Sequence, residues 1–402
     1  EDLGFTEPTP IQAKAIPILI DAGQDFIGLA QTGTGKTAAF GLPLIDLVDT
    51  DLKATQALVL APTRELGQQI GTQLKQFSRH KKGLRVETVY GGAAITGQIK
   101  ALRDTPHILI ATPGRLIDLA KRKAVKLENV NFLVLDEADE MLTMGFKEEL
   151  DTILSFTPEE KHTWLFSATL SAEIRRISKT YMTEPAEVSV NQAGVVNKNI
   201  SHQYLVVRTA EKVQILRRFV DADPDLRAIV FCRTRLGCQD VAKQLIDMKL
   251  NVEALHGDMN QSQRDRVMQR FKAHSLQMLI ATDVAARGID VNDLTHVFHF
   301  NLPDGHEFYT HRSGRTARAG KKGVSLALIS SRERSKIRYL EKDLKITFEQ
   351  AELPSGEELL NMRMIDWTAR LLKEEQGVEI PAEMLENAQA ALAPLSKEQL
   401  VE

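Results

Sequence analysis

Ala30-Gln31-Thr32-Gly33-Thr34-Gly35-Lys36-Thr37 lies between an apolar run, Asp25 to Leu29, and a helix-like segment, Ala38 to Leu47. It reads as a phosphate-binding loop between a strand and a helix. Gly33 and Gly35 let the backbone curl so that its N–H groups converge on phosphate oxygens. Lys36 supplies a positive charge and Thr37 a hydroxyl for Mg²⁺, while the helix behind them adds its positive end. The usual pattern opens on Gly, and Ala30 stands there instead, so a strict pattern search would miss the loop. The loop specifies a nucleotide, without saying what the nucleotide is used for.

Outward from this loop the first half alternates. Short runs of β-formers recur at Ala57 to Ala61, Arg85 to Tyr90, His107 to Ala111, Phe132 to Leu135 and Thr163 to Ser167. Between them lie helix-period segments such as Glu65 to Phe77 and Gly97 to Leu102, which predicts an α/β unit with a buried parallel sheet. Ligand-binding residues in such a sheet belong at the C-terminal ends of strands. Pro62-Thr63-Arg64, Gly91-Gly92, Thr112-Pro113-Gly114-Arg115 and Ser167-Ala168-Thr169 all fall there. Each alone is only a turn, but four on the edge that carries the phosphate loop form a kit of small residues, hydroxyls and Arg for a phosphate backbone. Phe132 to Leu135 ends in Asp136-Glu137-Ala138-Asp139, the form of the acidic half of a nucleoside-triphosphatase site. Asp136 is the expected Mg²⁺ ligand and Glu137 the residue that orients and deprotonates water.

The second half repeats the first. Ala228-Ile229-Val230-Phe231-Cys232-Arg233-Thr234-Arg235 echoes Ala57 to Arg64, and Leu279-Ile280-Ala281-Thr282 repeats Leu109-Ile110-Ala111-Thr112. Leu255-His256-Gly257 stands where Val89-Tyr90-Gly91 stood. This copy lacks the Gly-Lys-Thr loop and the Asp-Glu pair, so it cannot hydrolyse a nucleotide alone. Arg312, Arg315 and Arg318 are spaced i, i+3, i+6, which predicts one helical face. Because the first copy's site has no Arg of its own, they read as arginine fingers supplied across a cleft.

These motifs, in this order over residues 1 to about 340, resemble the DEAD-box RNA helicases. The resemblance implies two tandem RecA-like parallel-sheet domains, 1–190 and 201–340, joined by a linker at 191–200 and followed by a helical region at 341–402. It implies that Gln12 reads adenine, that Thr32, Gly33, Thr34, Gly35, Lys36 and Thr37 hold ATP, that Thr37 and Asp136 hold Mg²⁺, and that Asp290 contacts the ribose. Lys36, Asp136, Glu137, Arg315 and Arg318 become the catalytic set. Thr63, Arg64, Gly92, Thr112, Gly114 and Arg115, with Thr234, Arg235, Thr282 and Gly288, become the RNA-backbone tract. Ser167 and Thr169 couple hydrolysis to strand separation, and His311 sits at the inter-domain contact. The chain departs from the family pattern at Ser313 and Ala317, where Ile and Gly are more usual. The family's adenine-stacking aromatic falls before Glu1, so weaker nucleotide affinity is expected.

Composition agrees with an ordinary soluble protein. Cys232 and Cys238 are the only cysteines, too few for a disulfide framework, so a reducing compartment, the cytoplasm, is expected. No stretch approaches the roughly 18 apolar residues of a membrane span. The net charge of −3 hides an asymmetry: residues 341–402 carry 14 Asp/Glu against 6 Lys/Arg, so a polyanion should meet the rest of the chain. In that acidic tail Leu360, Met364, Trp367 and Leu371 share a helical spacing and loosely resemble the dimerisation region of the bacterial cold-shock subgroup. Capping of the second domain is the alternative. An ATP-gated RNA clamp and a small-molecule kinase are the functional alternatives, and the kinase leaves the second half without a role.

Overall fold

The computed structural model describes residues 6–356 apart from positions 22, 32, 191–198, 287–290, 292–293, 318–320 and 354. The first half runs α1 (Pro10–Ile20), β1 (Phe26–Leu29), α2 (Lys36–Leu47), β2 (Ala57–Leu60), α3 (Arg64–Phe77), β3 (Val86–Val89), α4 (Ile95–Ala101), β4 (Ile108–Ala111), α5 (Pro113–Lys121), β5 (Phe132–Leu135), α6 (Ala138–Thr143), α7 (Lys147–Leu154), β6 (His162–Ser167), α8 (Ala172–Tyr181) and β7 (Ala186–Ser189). The second runs β8 (Ile200–Val206), α9 (Lys212–Ala222), β9 (Ala228–Phe231), α10 (Arg235–Asp247), β10 (Val252–Leu255), α11 (Gln261–Lys272), β11 (Met278–Ala281), α12 (Asp283–Ala286), β12 (His296–His299), α13 (His306–Ser313), β13 (Gly323–Ile329), α14 (Arg334–Leu344) and β14 (Glu349–Gln350).

Two seven-stranded sheets result, ordered β3-β4-β2-β5-β6-β1-β7 and β10-β11-β9-β12-β13-β8-β14, with every pair parallel. Replacing each strand of the first by its counterpart in the second reproduces the same permutation. The repeat legible in the sequence is therefore a repeat of topology, and two tandem RecA-like units is the architecture.

Strand composition accounts for the layering. In the central strands of the first sheet successive side chains enter different cores. Ala57, Val59, Ile108, Ile110, Val134 and Trp164 pack on one face, whereas Leu58, Leu60, Leu109, Leu133, Leu135 and Leu165 pack on the other. A strand buried on both faces has no polar position to alternate with, which is why these runs read as continuous apolar stretches.

Three features differ from the expectations. The edge strand β7, Ala-Glu-Val-Ser, is half-buried and too polar to stand out in the sequence. The second sheet does not stop at 340: α14 runs through that position to Leu344, and β14 pairs with β8 at Glu349↔Gln203 and Gln350↔Tyr204. Finally α13 ends at Ser313 with Gly314 as its C-cap, so Arg312 and Arg315 do not share a helical face. The tail positions Leu360 to Leu371, and most of the 191–200 linker, lie outside the described residues.

Candidate active site and nucleic-acid interface

β1 ends at Leu29, and the chain then turns into α2 through two glycines in the left-handed region, Gly33 at φ 81° and Gly35 at φ 91°. Gly35 has a second reason to lack a side chain: a Cβ there would lie 2.5 Å from Gln12 Nε2. That amide donates to the Gly35 carbonyl at 3.1 Å, and Gln12 Oε1 accepts from Thr9 N–H at 3.0 Å. Gln12 is thereby clamped against the loop from the start of α1. Lys36 is buried, and its Nζ donates to the carbonyl of Ala30 at 3.0 Å. Thr34 Oγ1 donates to the Gln31 carbonyl at 2.7 Å. Thr37 follows in the first turn of α2, and Thr32 lies outside the described residues.

Asp136 leaves β5 at the centre of the sheet and is buried, with its Oδ1 accepting from Glu137 N–H at 3.0 Å. Its carboxyl is raised to about 6: burial drives the rise and the Glu137 carboxylate adds to it, while the Lys36 ammonium holds it down in part. A buried carboxylate under that strain is suited to a divalent cation, whose charge would offset the desolvation. Glu137 itself sits at φ 49°, unusual for a residue with a side chain, as the N-cap of α6. Strained backbone of this kind clusters at functional sites.

Asp139 is the hub of the next layer. Its Oδ2 accepts from Thr169 N–H and Thr169 Oγ1–H, both at 3.0 Å, and lies 3.8 Å from His311 Nε2. Ser167 Oγ donates to the Thr169 carbonyl at 2.7 Å, closing the turn after β6. His311 Nδ1 is hydrogen-bonded to Glu140 Oε1. Burial alone would lower the His311 pKa, but the Glu140 hydrogen bond and the Glu140 and Asp139 charges outweigh it, and the net shift is upward. Acidic groups of the first domain and a histidine of the second thus meet directly. The sequence pattern assigns no role to Asp139, which closes the acidic run, or to Glu140, which lies one residue beyond it. What was missing was the partner, 171 residues away for Glu140.

The arginines divide. Arg315 is buried and shares a small cleft with Glu140 and His311. Arg312 is spent structurally: Nη2 donates to Asp283 Oδ2 at 2.7 Å and Nη1 to the Asn301 carbonyl at 2.7 Å, while the guanidinium carbon lies 5.0 Å from the centre of the Phe231 ring. It anchors α13 to β9 and α12. Arg318, Asp290 and Gly288 lie outside the described residues.

The residues expected to face RNA lie along the C-terminal edges of both sheets. Thr63 and Thr234 cap α3 and α10 in nearly the same backbone conformation, their hydroxyls accepting from Leu66 N–H at 3.2 Å and Gly237 N–H at 3.0 Å. Thr112 caps α5, its hydroxyl accepting from Gly91 N–H at 3.3 Å, and Gly114 lies in the first turn with open space where a Cβ would point. Arg115 Nη1 donates to Gln98 Oε1 at 2.8 Å and Nη2 to the Ala93 carbonyl at 3.0 Å, which fixes the Gly92 loop (φ 79°). Arg64 lies over the Tyr90 ring at 4.7 Å and pairs with Asp265 of α11 at 3.1 Å. A neighbouring pair, Glu65 with Arg264 at 3.7 Å, runs between the same helices. Arg235 pairs with Asp258, and Thr282 is buried after β11.

Tandem RecA-like sheets, one with a phosphate loop and acidic pair and the other facing it with Arg315 and His311, define a two-domain P-loop nucleoside-triphosphatase. The DEAD/DEAH box helicase family matches residues 9–177, and the helicase conserved C-terminal domain matches residues 211–320. The chain is 45% identical over 360 residues to DEAD-box ATP-dependent RNA helicase CshA of Bacillus cereus, covering 90% of this chain and 68% of that protein. It is 44% identical over 379 residues to ATP-dependent RNA helicase DeaD of Escherichia coli, covering 94% and 60% respectively. Among solved structures, S. cerevisiae Dbp5 bound to RNA and ADP BeF3 superposes with a TM-score of 0.79 at 26% identity, covering 93% of this chain and 95% of that one. The chain belongs to the DEAD-box ATP-dependent RNA helicases. Among the described residues no helix is long and apolar enough to cross a membrane.

Proposed function

We propose that the chain hydrolyses ATP in response to RNA and uses the closure of its two domains to separate short RNA duplexes locally. The observation that carries this reading is the continuous polar path Ser167–Thr169–Asp139–His311–Glu140, which joins the turn after β6, the acidic motif after β5 and α13 of the second domain. The path ties the acidic motif beside the phosphate loop to the second domain, so a change at the nucleotide is felt at α13.

In this reading Gln12 reads the base from its clamp on the loop, and Lys36 exchanges the Ala30 carbonyl for a phosphate oxygen. Asp136 and Thr37 would hold Mg²⁺, which when bound would supply positive charge to the phosphates. Glu137 orients the attacking water and takes its proton, and Arg315 offsets charge that develops on the transferred phosphoryl group. Thr63, Arg64, Gly92, Thr112, Gly114 and Arg115, with Thr234, Arg235 and Thr282, hold the RNA backbone. Arg318, Asp290, Gly288 and Thr32 take the roles that family resemblance gives them. The acidic segment beyond β14 joins two copies of the chain, and sedimentation of the full chain against one ending at 352 checks that part. The function itself is tested by the ATPase rate with and without single-stranded RNA, with single-stranded DNA as control. RNA-independent turnover would remove it.

A further inference from the structure

α14 presents a row of charge that nothing in the site uses. Arg334, Arg338 and Lys342 are exposed and spaced i, i+4 and i+8, so they form one stripe rising about 12 Å along the helix, and Lys345 follows as its exposed C-cap. The opposite face, Ile337, Leu340 and Leu344, is buried in the core of the second domain, which fixes the stripe outward.

The acids nearby are already engaged. Glu333 accepts from Ser330 N–H and Oγ–H, both at 2.9 Å, Glu341 accepts from Phe348 N–H at 2.9 Å, and Asp343 pairs with His306 at 2.8 Å. Lys336 pairs with Asp304 at 3.6 Å. Among the described residues, Arg334, Arg338, Lys342 and Lys345 have no carboxylate within 4.0 Å. Beside them Tyr339 is 60% exposed, a large aromatic ring held in water. Cations in a row with an exposed ring at their side match a polyanion that also carries flat faces, since phosphates take the charges and a base stacks on the ring. An acidic protein segment would satisfy the charges and leave the ring unexplained.

We propose that the exposed face of α14 is an accessory RNA-binding surface, outside the motif tract, that grips the single-stranded continuation of the RNA held between the domains. The inference rests on the RNA-dependent function proposed above. It also explains why Lys342 and Lys345 belong with the second domain and not with the acidic remainder of the chain.

The test uses the full chain, with single-stranded RNAs of about 8 and about 40 nucleotides, so that only the longer one reaches beyond the motif face. The variant R334Q/R338Q/K342Q/K345Q should keep ATPase stimulation by the short RNA and the thermal midpoint of the unaltered chain. Its affinity for the long RNA should fall at least about tenfold at low salt, and the log–log salt slope should drop by about 3, as for four lost single-strand phosphate contacts. Tyr339→Ala should weaken long-RNA binding about fivefold or more, with Tyr339→Phe restoring it. Unchanged long-RNA affinity and slope in the fourfold variant would overturn the proposal. So would unchanged RNA binding with altered sedimentation, which would assign the stripe to a protein. Absence of RNA stimulation in the unaltered chain would instead remove the underlying function, whatever α14 does.

Discussion

His311 of α13 is hydrogen-bonded through Nδ1 to Glu140 of α6. The bond ties the second domain to the helix that begins at the catalytic strand's acidic motif. Replacing His311 by Ala, or Glu140 by Gln, should therefore slow RNA-stimulated hydrolysis about tenfold or more, the effect of one charge-assisted hydrogen bond. ATP affinity of the free chain should change little. Turnover at the unaltered rate in both variants would show that closure does not run through this contact.

The same contact sets a pH dependence. The His311 pKa is raised above its ordinary 6.5, against burial and by Glu140 and Asp139, so the folded chain binds the proton more tightly than the unfolded one. The contact contributes fully below about pH 6.5 and is lost as pH rises through the raised value. RNA-stimulated ATPase in the unaltered chain should carry that fall on its alkaline side. Glu140→Gln should move it to lower pH, as a pH–rate series would read directly.

Glu137→Gln keeps the shape of the side chain and removes its basicity. ATP and RNA binding should survive while turnover drops by roughly 10² to 10⁴-fold. Lys36→Ala, by contrast, should weaken ATP binding itself, because the ammonium sits at the phosphate loop. Equilibrium binding with a fluorescent ATP analogue separates the two outcomes.

Arg315 and Arg312 are three residues apart and should fail differently. Arg315→Ala should lower the catalytic rate by about 10³-fold with the fold intact. Arg312→Ala leaves Asp283 and the Asn301 carbonyl without their donor and should cost about 3 kcal/mol of stability. A calorimetric scan beside the ATPase assay distinguishes a missing finger from a missing anchor.

Ala317 occupies a left-handed conformation, φ 56°, at a position where the resembling family more often has Gly. The strain, about 1–2 kcal/mol, outweighs or matches the roughly 0.8 kcal/mol held by its buried methyl group. Ala317→Gly should thus be neutral or stabilising in thermal denaturation, although it removes core volume. A loss of more than about 1 kcal/mol would contradict the strain.

The sheets were legible because strands buried on both faces leave apolar runs such as Ala57 to Leu60, and because the second copy repeats them. The phosphate loop and acidic pair were legible because short-range backbone chemistry needs those residues at that spacing. Arg312 was misread because spacing describes a helix only while the helix lasts, and Gly314 ends it. Glu140 and Asp265 could not be found at all from local pattern. Their roles come from partners that sheet topology brings together, and one carboxylate in an acidic run looks like any other. β7 and β14 are short edge strands whose pairing, not composition, makes them strands.

Thr63 and Thr234 cap their helices with φ and ψ equal to within two degrees, −126° and 155° against −126° and 157°. If both hold RNA phosphates, the enzyme grips its substrate with one structural unit used twice, and neither grip reads a base. A strand laid across both domains would then meet the same chemistry at each end. Such an enzyme would be indifferent to the message and attentive to the geometry of the chain that carries it.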